Sequence, residues 1–206
     1  MNRPLSVALT GNIASGKSTV LGLFRDWGAF TTDADAMVHE LQRPGTPVFR
    51  AMVERFGPGV VAPDGGLDRG ALRRMAFSDP RARADLEAIV HPAVRSRRVE
   101  LEEAARRSGA AVAVHDIPLL FESADPGEFD RVVLVDAPEA RRKEWLVRLR
   151  GMTPAEADRM IAAQMPSALK RPRSDFVIEN DADRETLERR ARAVWDRLAV
   201  ESARRA

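Results

Sequence analysis

Gly11-Asn12-Ile13-Ala14-Ser15-Gly16-Lys17-Ser18 is the stretch on which the reading of this chain turns. It fits the spacing G-x-x-x-x-G-K-[ST]. Leu5-Ser6-Val7-Ala8-Leu9 before it is an apolar run of strand length, and Lys17 to Trp27 after it carries Val20, Leu21, Phe24 and Trp27 at helical spacing. Gly28 stands where that helix would close. A glycine at each end lets the main chain wrap around phosphate oxygens, and successive N–H groups and the positive end of the helix dipole face the anion. Lys17 adds a charge at the β- and γ-phosphates, and the Ser18 hydroxyl is a ligand for Mg²⁺. Strand, loop and helix in this order point to binding of a nucleoside triphosphate.

Outward from the loop, Ala29 to Asp33 reads as a second short strand. Residues 36–109 then read as a helical insertion. Asp35 to Leu41 and Pro47 to Phe56 are helices parted by Pro44-Gly45, Asp64-Gly65-Gly66 is a turn, and Asp68 caps a helix to about Phe77. Asp79-Pro80 opens another helix, to Val90, which His91-Pro92 is expected to break before a further helix to Arg107. Strands return at 110–114 and 132–135. Their continuous apolar character suits parallel strands buried on both faces. A charged helix from Pro138 to Arg150, a capping-box start at Thr153-Pro154-Ala155-Glu156, a strand at 176–178 and a helix from Arg184 complete the pattern. The fold class is α/β: a mostly parallel five-stranded sheet flanked by helices, formed by residues 1–35 and 110–206, with the 36–109 insertion.

Composition narrows the function. Of 206 residues, 44% are hydrophobic and 31% charged, a globular balance. Lys+Arg number 33 against 31 Asp+Glu, so a net charge of +2 argues against a nucleic-acid binder or a polybasic membrane protein. The absence of cysteine excludes disulfides, thiolate nucleophiles and iron–sulfur clusters. His39, His91 and His115 lie too far apart to suggest a metal site. No apolar run reaches the length of a membrane helix and no signal peptide is visible, so a cytoplasmic protein is expected. Only Lys17, Lys143 and Lys170 are lysines.

Three classes share such a loop: small-molecule kinases, switch GTPases and larger motor ATPases. A guanine-reading N/T-K-x-D is missing, because neither Lys143 nor Lys170 has Asp two residues on. Thr32-Asp33-Ala34-Asp35 puts two carboxylates at the end of the second strand, where ligands bind in open α/β sheets and where a kinase needs a group to orient its acceptor hydroxyl. Helix capping would use the same residues.

The chain resembles the dephospho-CoA kinases along its length. Leu9-Thr10-Gly11 through Lys17-Ser18-Thr19-Val20 followed by Asp33-Ala34-Asp35 carries the likeness first. Pro44-Gly45, Asp64-Gly65-Gly66-Leu67-Asp68-Arg69 with Leu72, Ile89-Val90-His91-Pro92, Asp116-Ile117-Pro118-Leu119-Leu120-Phe121-Glu122, Ala162-Ala163-Gln164-Met165 and Asp175-Phe176-Val177-Ile178-Glu179-Asn180 continue it in order. The resemblance implies a P-loop kinase core, a helical CoA-binding insertion and a mobile lid at about 138–170. It implies transfer of the γ-phosphoryl of ATP, with Mg²⁺, to the ribose 3′-hydroxyl of dephospho-CoA. Residues 11–19 would hold the nucleotide, with Lys17 and Asp35 catalytic. Thr10, Asp33, Asp35, His91, Pro118 and Leu119 would line the acceptor site, and Ser18 would reach the metal. Asp116 resembles an acid near Mg²⁺, with a role in loop structure equally open. The implied partners are small molecules, with no nucleic acid or membrane, and a monomer is favoured.

Two departures stand out. Asn12 and Ala14 occupy positions where the family usually has glycine, and of the two Asn12 tolerates a positive φ better. In the lid helix, Arg141-Arg142-Lys143-Glu144-Trp145 stands where relatives usually carry Gln and then arginines. Among its basic residues Arg148, close to Gly151, is expected to reach the phosphates. A nucleotide-binding regulator, and a kinase for another hydroxyl acceptor such as a nucleoside, are the competing functions. The long insertion speaks for a bulky acceptor.

Overall fold

The computed structural model describes residues 3–205; Met1, Asn2 and Ala206, within the bounds expected for the core, lie outside the described residues, as do the side chains of Phe77 and Ser123. In chain order the elements are β1 (Leu5–Thr10), α1 (Lys17–Asp26), β2 (Phe30–Asp33), α2 (Ala34–Leu41), α3 (Pro47–Phe56), α4 (Arg69–Ser78), α5 (Pro80–Arg107), β3 (Val112–Asp116), α6 (Leu120–Ser123), β4 (Arg131–Asp136), α7 (Glu139–Arg150), α8 (Pro154–Ala162), α9 (Ser167–Lys170), β5 (Phe176–Glu179) and α10 (Arg184–Ala203).

Five strands form one sheet in the order β2-β3-β1-β4-β5, every neighbouring pair parallel. β1 is central and buried along its whole length. Its alternate side chains face opposite ways. Leu5, Val7 and Leu9 pack with Val20 and Phe24 of α1 and with Leu187, Ala191, Trp195 and Leu198 of α10. Phe24, Trp27 and Trp195 meet there with ring centroids 5.6–6.4 Å apart. Ala8, on the other face, packs with Leu120, Phe121 and Val132. The loop after β1 thus leaves the middle of the sheet, where the strand order reverses and ligands bind in such sheets.

The chain divides into two compact units, residues 34–101 and the remainder, with the boundaries at 33/34 and 101/102. The first boundary coincides with the end of β2. The smaller unit has its own apolar core of Val48, Met52, Val60, Leu72 and Val90, around which Phe56, Leu67, Leu86 and Val94 pack. Caps define its helices: Thr46 Oγ1 accepts from Phe49 N–H at 3.1 Å, and an Asp68 carboxylate oxygen from Ala71 N–H at 2.9 Å.

The break expected at His91-Pro92 does not occur. α5 runs through it for 28 residues. A proline inside a helix removes one hydrogen bond and costs about 3 kcal/mol. Val90 is buried and Ile89, Ala93 and Val94 pack on the same core, so burial on both sides of Pro92 offsets that cost.

Candidate active site

The phosphate loop is built by close approaches that only glycine permits. A Cβ on Gly11 would stand 2.5 Å from the Val135 carbonyl oxygen of β4. Gly16 caps α1 at φ 91°, and a Cβ there would overlap the Asn180 amide. Asn180 is buried and donates from Nδ2 to the Ser15 carbonyl at 2.9 Å, so the residue after β5 fastens the back of the loop. The one described non-glycine residue at positive φ is Ala14, at 59°. Of the two positions where the family usually has glycine, Ala14 and not Asn12 takes that conformation. Asn12 instead spends its side chain on Met165, donating from Nδ2 to the carbonyl at 3.1 Å.

Lys17, the first residue of α1, forms an ion pair with Asp116 at the end of β3. Asp116 lies in register between Leu9 of β1 and Asp33 of β2, so the loop lysine and both strand-end carboxylates stand at one edge of the sheet. Ser18 and Thr19 are exposed in the first turn of α1.

Beside the loop opens a cavity of about 770 Å³, lined in part by Asn12, Asp136, Glu139, Arg142, Gln164 and Ser167. Its size suits a small molecule of nucleotide dimensions. Arg142 of α7 is its most unusual residue: 5% of its side chain is exposed. Nε donates to the Ala137 carbonyl at 3.2 Å, Nη2 lies 4.0 Å from Glu139, and Nη1 is buried without a partner. Burial pulls this guanidinium below its ordinary pKa, opposed by the charges of Glu139 and Asp136. It stays charged, because arginine starts so high. Ser15 Oγ in the loop is likewise buried and unpartnered. A cation and a hydroxyl left unsatisfied beside a phosphate-binding loop suit a polyanionic ligand. Arg171 crosses the rim, donating to Asp136 at 2.7 Å and Glu179 at 2.6 Å. These bonds, that to Glu179 foremost, raise its pKa.

A sequence profile for dephospho-CoA kinase matches residues 5–186. The chain is 48% identical over 189 residues to a dephospho-CoA kinase of Symbiobacterium thermophilum, covering 92% of this chain and 79% of that one. This chain belongs to the dephospho-CoA kinase family. A second relative, the dephospho-CoA kinase of Streptomyces avermitilis, is 47% identical over 191 residues, 93% of this chain and 92% of its own. Among solved structures, a Thermus thermophilus protein superposes with a TM-score of 0.79 at 38% identity, covering 96% of this chain and 99% of its own. A dephospho-CoA kinase from Campylobacter jejuni, 21% identical, shares the fold at a TM-score of 0.68, over 95% of this chain and 97% of its own.

For this dephospho-CoA kinase family member, the structure brings Gly11–Ser18, Asp33 and Asp116 together. It does not bring Arg148 to the cavity: that side chain is 71% exposed and bonds Glu144 one turn back at 2.7 Å. Six residues separate it from Arg142, so the two fall on different sides of α7. Thr10, expected at the acceptor, is fully buried, and its hydroxyl donates to the Pro118 carbonyl at 3.4 Å. It thereby anchors the turn bearing Pro118 and the exposed Leu119. Asp35 and His91 belong to the 34–101 unit, Asp35 exposed in the first turn of α2 and His91 exposed within α5. Sequence reasoning missed Arg142, Gln164 and Asn180 as site residues. Gln164 and Asn180 sat inside quoted motifs, and nothing local told Arg142 from its arginine neighbours.

Proposed function

We propose that this chain phosphorylates dephospho-CoA with ATP, moving the γ-phosphoryl to the ribose 3′-hydroxyl and yielding CoA and ADP. The observation that carries the reading is the family match over residues 5–186 around an intact phosphate loop whose Lys17 stands beside Asp116. In the reaction a bond forms between the acceptor oxygen and the γ-phosphorus, the bond to the ADP oxygen breaks, and the hydroxyl proton leaves.

Each step needs a group that this chain supplies. The N–H groups of residues 11–19 and the amino end of α1 hold the triphosphate. Lys17 offsets charge spreading over the transferred group. Asp35 accepts the hydroxyl proton, with Asp33 in support. Arg142, in place of Arg148, contacts the nucleotide from α7. The Ser18 hydroxyl and the Asp116 carboxylate are hard oxygen donors of the kind Mg²⁺ takes alongside substrate phosphates. When bound, the ion would neutralise charge on the β- and γ-phosphates. The helical unit from about 36 to 109, with His91, is assigned to the CoA moiety together with Pro118 and Leu119, and residues 138–170 act as the lid. We place the enzyme in the cytoplasm as a monomer with small-molecule partners only. Among the described residues no helix is long and apolar enough to cross a membrane.

A coupled assay for ADP with ATP, Mg²⁺ and dephospho-CoA tests this reading, with adenosine and nucleoside monophosphates as competing acceptors. Turnover with dephospho-CoA and with none of the competitors is expected. Preference for a nucleoside would overturn it.

A further inference from the structure

Ala14 holds a left-handed conformation that an L-residue adopts at a cost glycine escapes. Such strain persists only where the surroundings over-determine the backbone. On the carboxyl side of Ala14 the restraints are clear. Ser15 N–H donates to the Asn12 carbonyl at 3.0 Å, and the Ser15 carbonyl accepts from Asn180. On the amino side the shortest restraint comes from a side chain 151 residues away: Ile13 N–H donates to Gln164 Oε1 at 2.7 Å. Asn12 Nδ2 reaches the Met165 carbonyl next to it. Ile13 and Ala14 also pack against Leu146, Ala157 and Ile161 of α7 and α8.

The segment bearing Gln164 is itself held. Met165 N–H donates to Glu122 Oε1 at 3.1 Å, and Glu122 is paired at 2.8 Å with Lys170, which is wholly buried. One of only three lysines in the chain thus fixes the segment that touches the loop. An ion pair with a buried partner is by itself weak evidence for stability, so the restraint is read from its position beside Met165.

We propose that Gln164 is a positioning residue for the phosphate loop: its amide oxygen holds Ile13 N–H so that Ala14 stays left-handed and the loop keeps its phosphate-binding shape. The residue type suits the task. An amide oxygen takes the N–H without bringing negative charge towards bound phosphates, as a carboxylate would. The role deepens the proposed nucleotide site and rests on that reading for its binding readout alone.

The test is a double-mutant cycle of Gln164→Ala and Ala14→Gly in the full chain, read by ATP dissociation constant, steady-state kinetics and amide hydrogen exchange without nucleotide. In the Ala14 background Gln164→Ala should weaken ATP about tenfold, the order of the left-handed penalty for an L-residue. It should raise KM for ATP more than it lowers kcat, and speed exchange at Ile13 about tenfold or more. In the Ala14→Gly background, where that conformation is intrinsically accessible, the loss should shrink to about twofold. A merely structural glutamine would lower the melting temperature and leave the ATP effect equal in the two backgrounds, which overturns the proposal. Tighter ATP binding in Gln164→Ala would also overturn it, because Gln164 would then compete with phosphate for the N–H. If the wild-type chain binds no ATP, the kinase reading fails, and the exchange rate at Ile13 alone decides for or against the role of Gln164.

Discussion

The two units differ in what they bury. In the sheet-bearing unit the buried polar and charged residues are Ser6, Thr10, Asn12, Ser15, His115, Asp116, Arg142, Lys170 and Asn180; among the described residues of 34–101 there are none. The smaller unit instead keeps its charges outside, in pairs such as Arg83–Glu87 and Arg97–Glu100. Burying a polar group costs free energy unless it finds a partner. Five of those nine, Asn12, Ser15, Asp116, Arg142 and Asn180, lie in the loop, contact it or line the cavity beside it. Where a chain must present dipoles and charges to a ligand, it accepts that cost. The core of the helical unit rests on apolar contacts.

Asp35 is where this contrast would break. It is exposed and lies in the unit in which no described polar residue is wholly buried, yet it is the proposed acceptor base. Asp35→Asn should lower kcat by about 10²–10⁴, the usual worth of general-base assistance, while ATP still binds. Asp33→Asn should cost less at saturating Mg²⁺. The opposite ranking in steady-state assays would assign the chemistry to the sheet-bearing unit alone.

Lys17→Ala is next in size. Removing one preorganised charge from a transferring group typically costs about 10²–10³ in rate. Circular dichroism should show the fold retained, since the lysine pairs with a carboxylate at the sheet edge and not with the apolar core. Near-normal turnover in a folded variant would sink the phosphate-loop assignment.

The two arginines of α7 sharpen the contrast within one helix. Arg142→Met keeps much of the buried stem and removes the unpartnered donor, so ATP should weaken about ten- to hundredfold, in line with a charge-assisted hydrogen bond. Arg148→Ala should change it less than about twofold, as expected for an exposed i,i+4 pair. Calorimetric titration of ATP into both variants checks this, and equal effects would erase the distinction drawn from burial.

The smallest effect concerns Asp130, which ties the two ends of the described chain together. It accepts from Arg3 at 2.7 Å, from Ser6 N–H at 2.9 Å and pairs with Arg205 at 2.9 Å. Burial pulls its pKa up, but Arg205, Ser6 N–H and Arg3 outweigh that and leave it below the ordinary 3.8. A carboxylate whose folded pKa is depressed adds stability that is whole above the unfolded pKa and fades as pH falls through the folded one. Asp130→Asn should therefore lower the melting temperature at pH 7 by about 2–4 °C, and the difference should close as the pH falls below about 4. A difference that persists at pH 2 would mean that the contacts act by shape rather than by charge.

The order of elements, the parallel sheet, the phosphate loop and the helical character of 36–109 were all legible in the sequence, because caps, apolar periodicity and glycine spacing are local properties of the chain. Pro92 misled because local chemistry disfavours a helix there, and contacts from Ile89 to Val94 on the core of Val48 and Met52 outweigh it. Which arginine of α7 is buried, which loop residue turns left-handed and which distant amide holds Ile13 were decided only when the chain closed on itself. Arg142 faces the cavity because Ala137 and Glu139 hold it there, Ala14 is strained because Asn180 and Gln164 grip the loop on either side, and Lys170 is buried because Glu122 meets it. Each of these depends on side chains far apart in the sequence or on burial that closure of the fold creates. Their energies exist only once the backbone entropy of closing those long loops has been spent, and no local spacing encodes that.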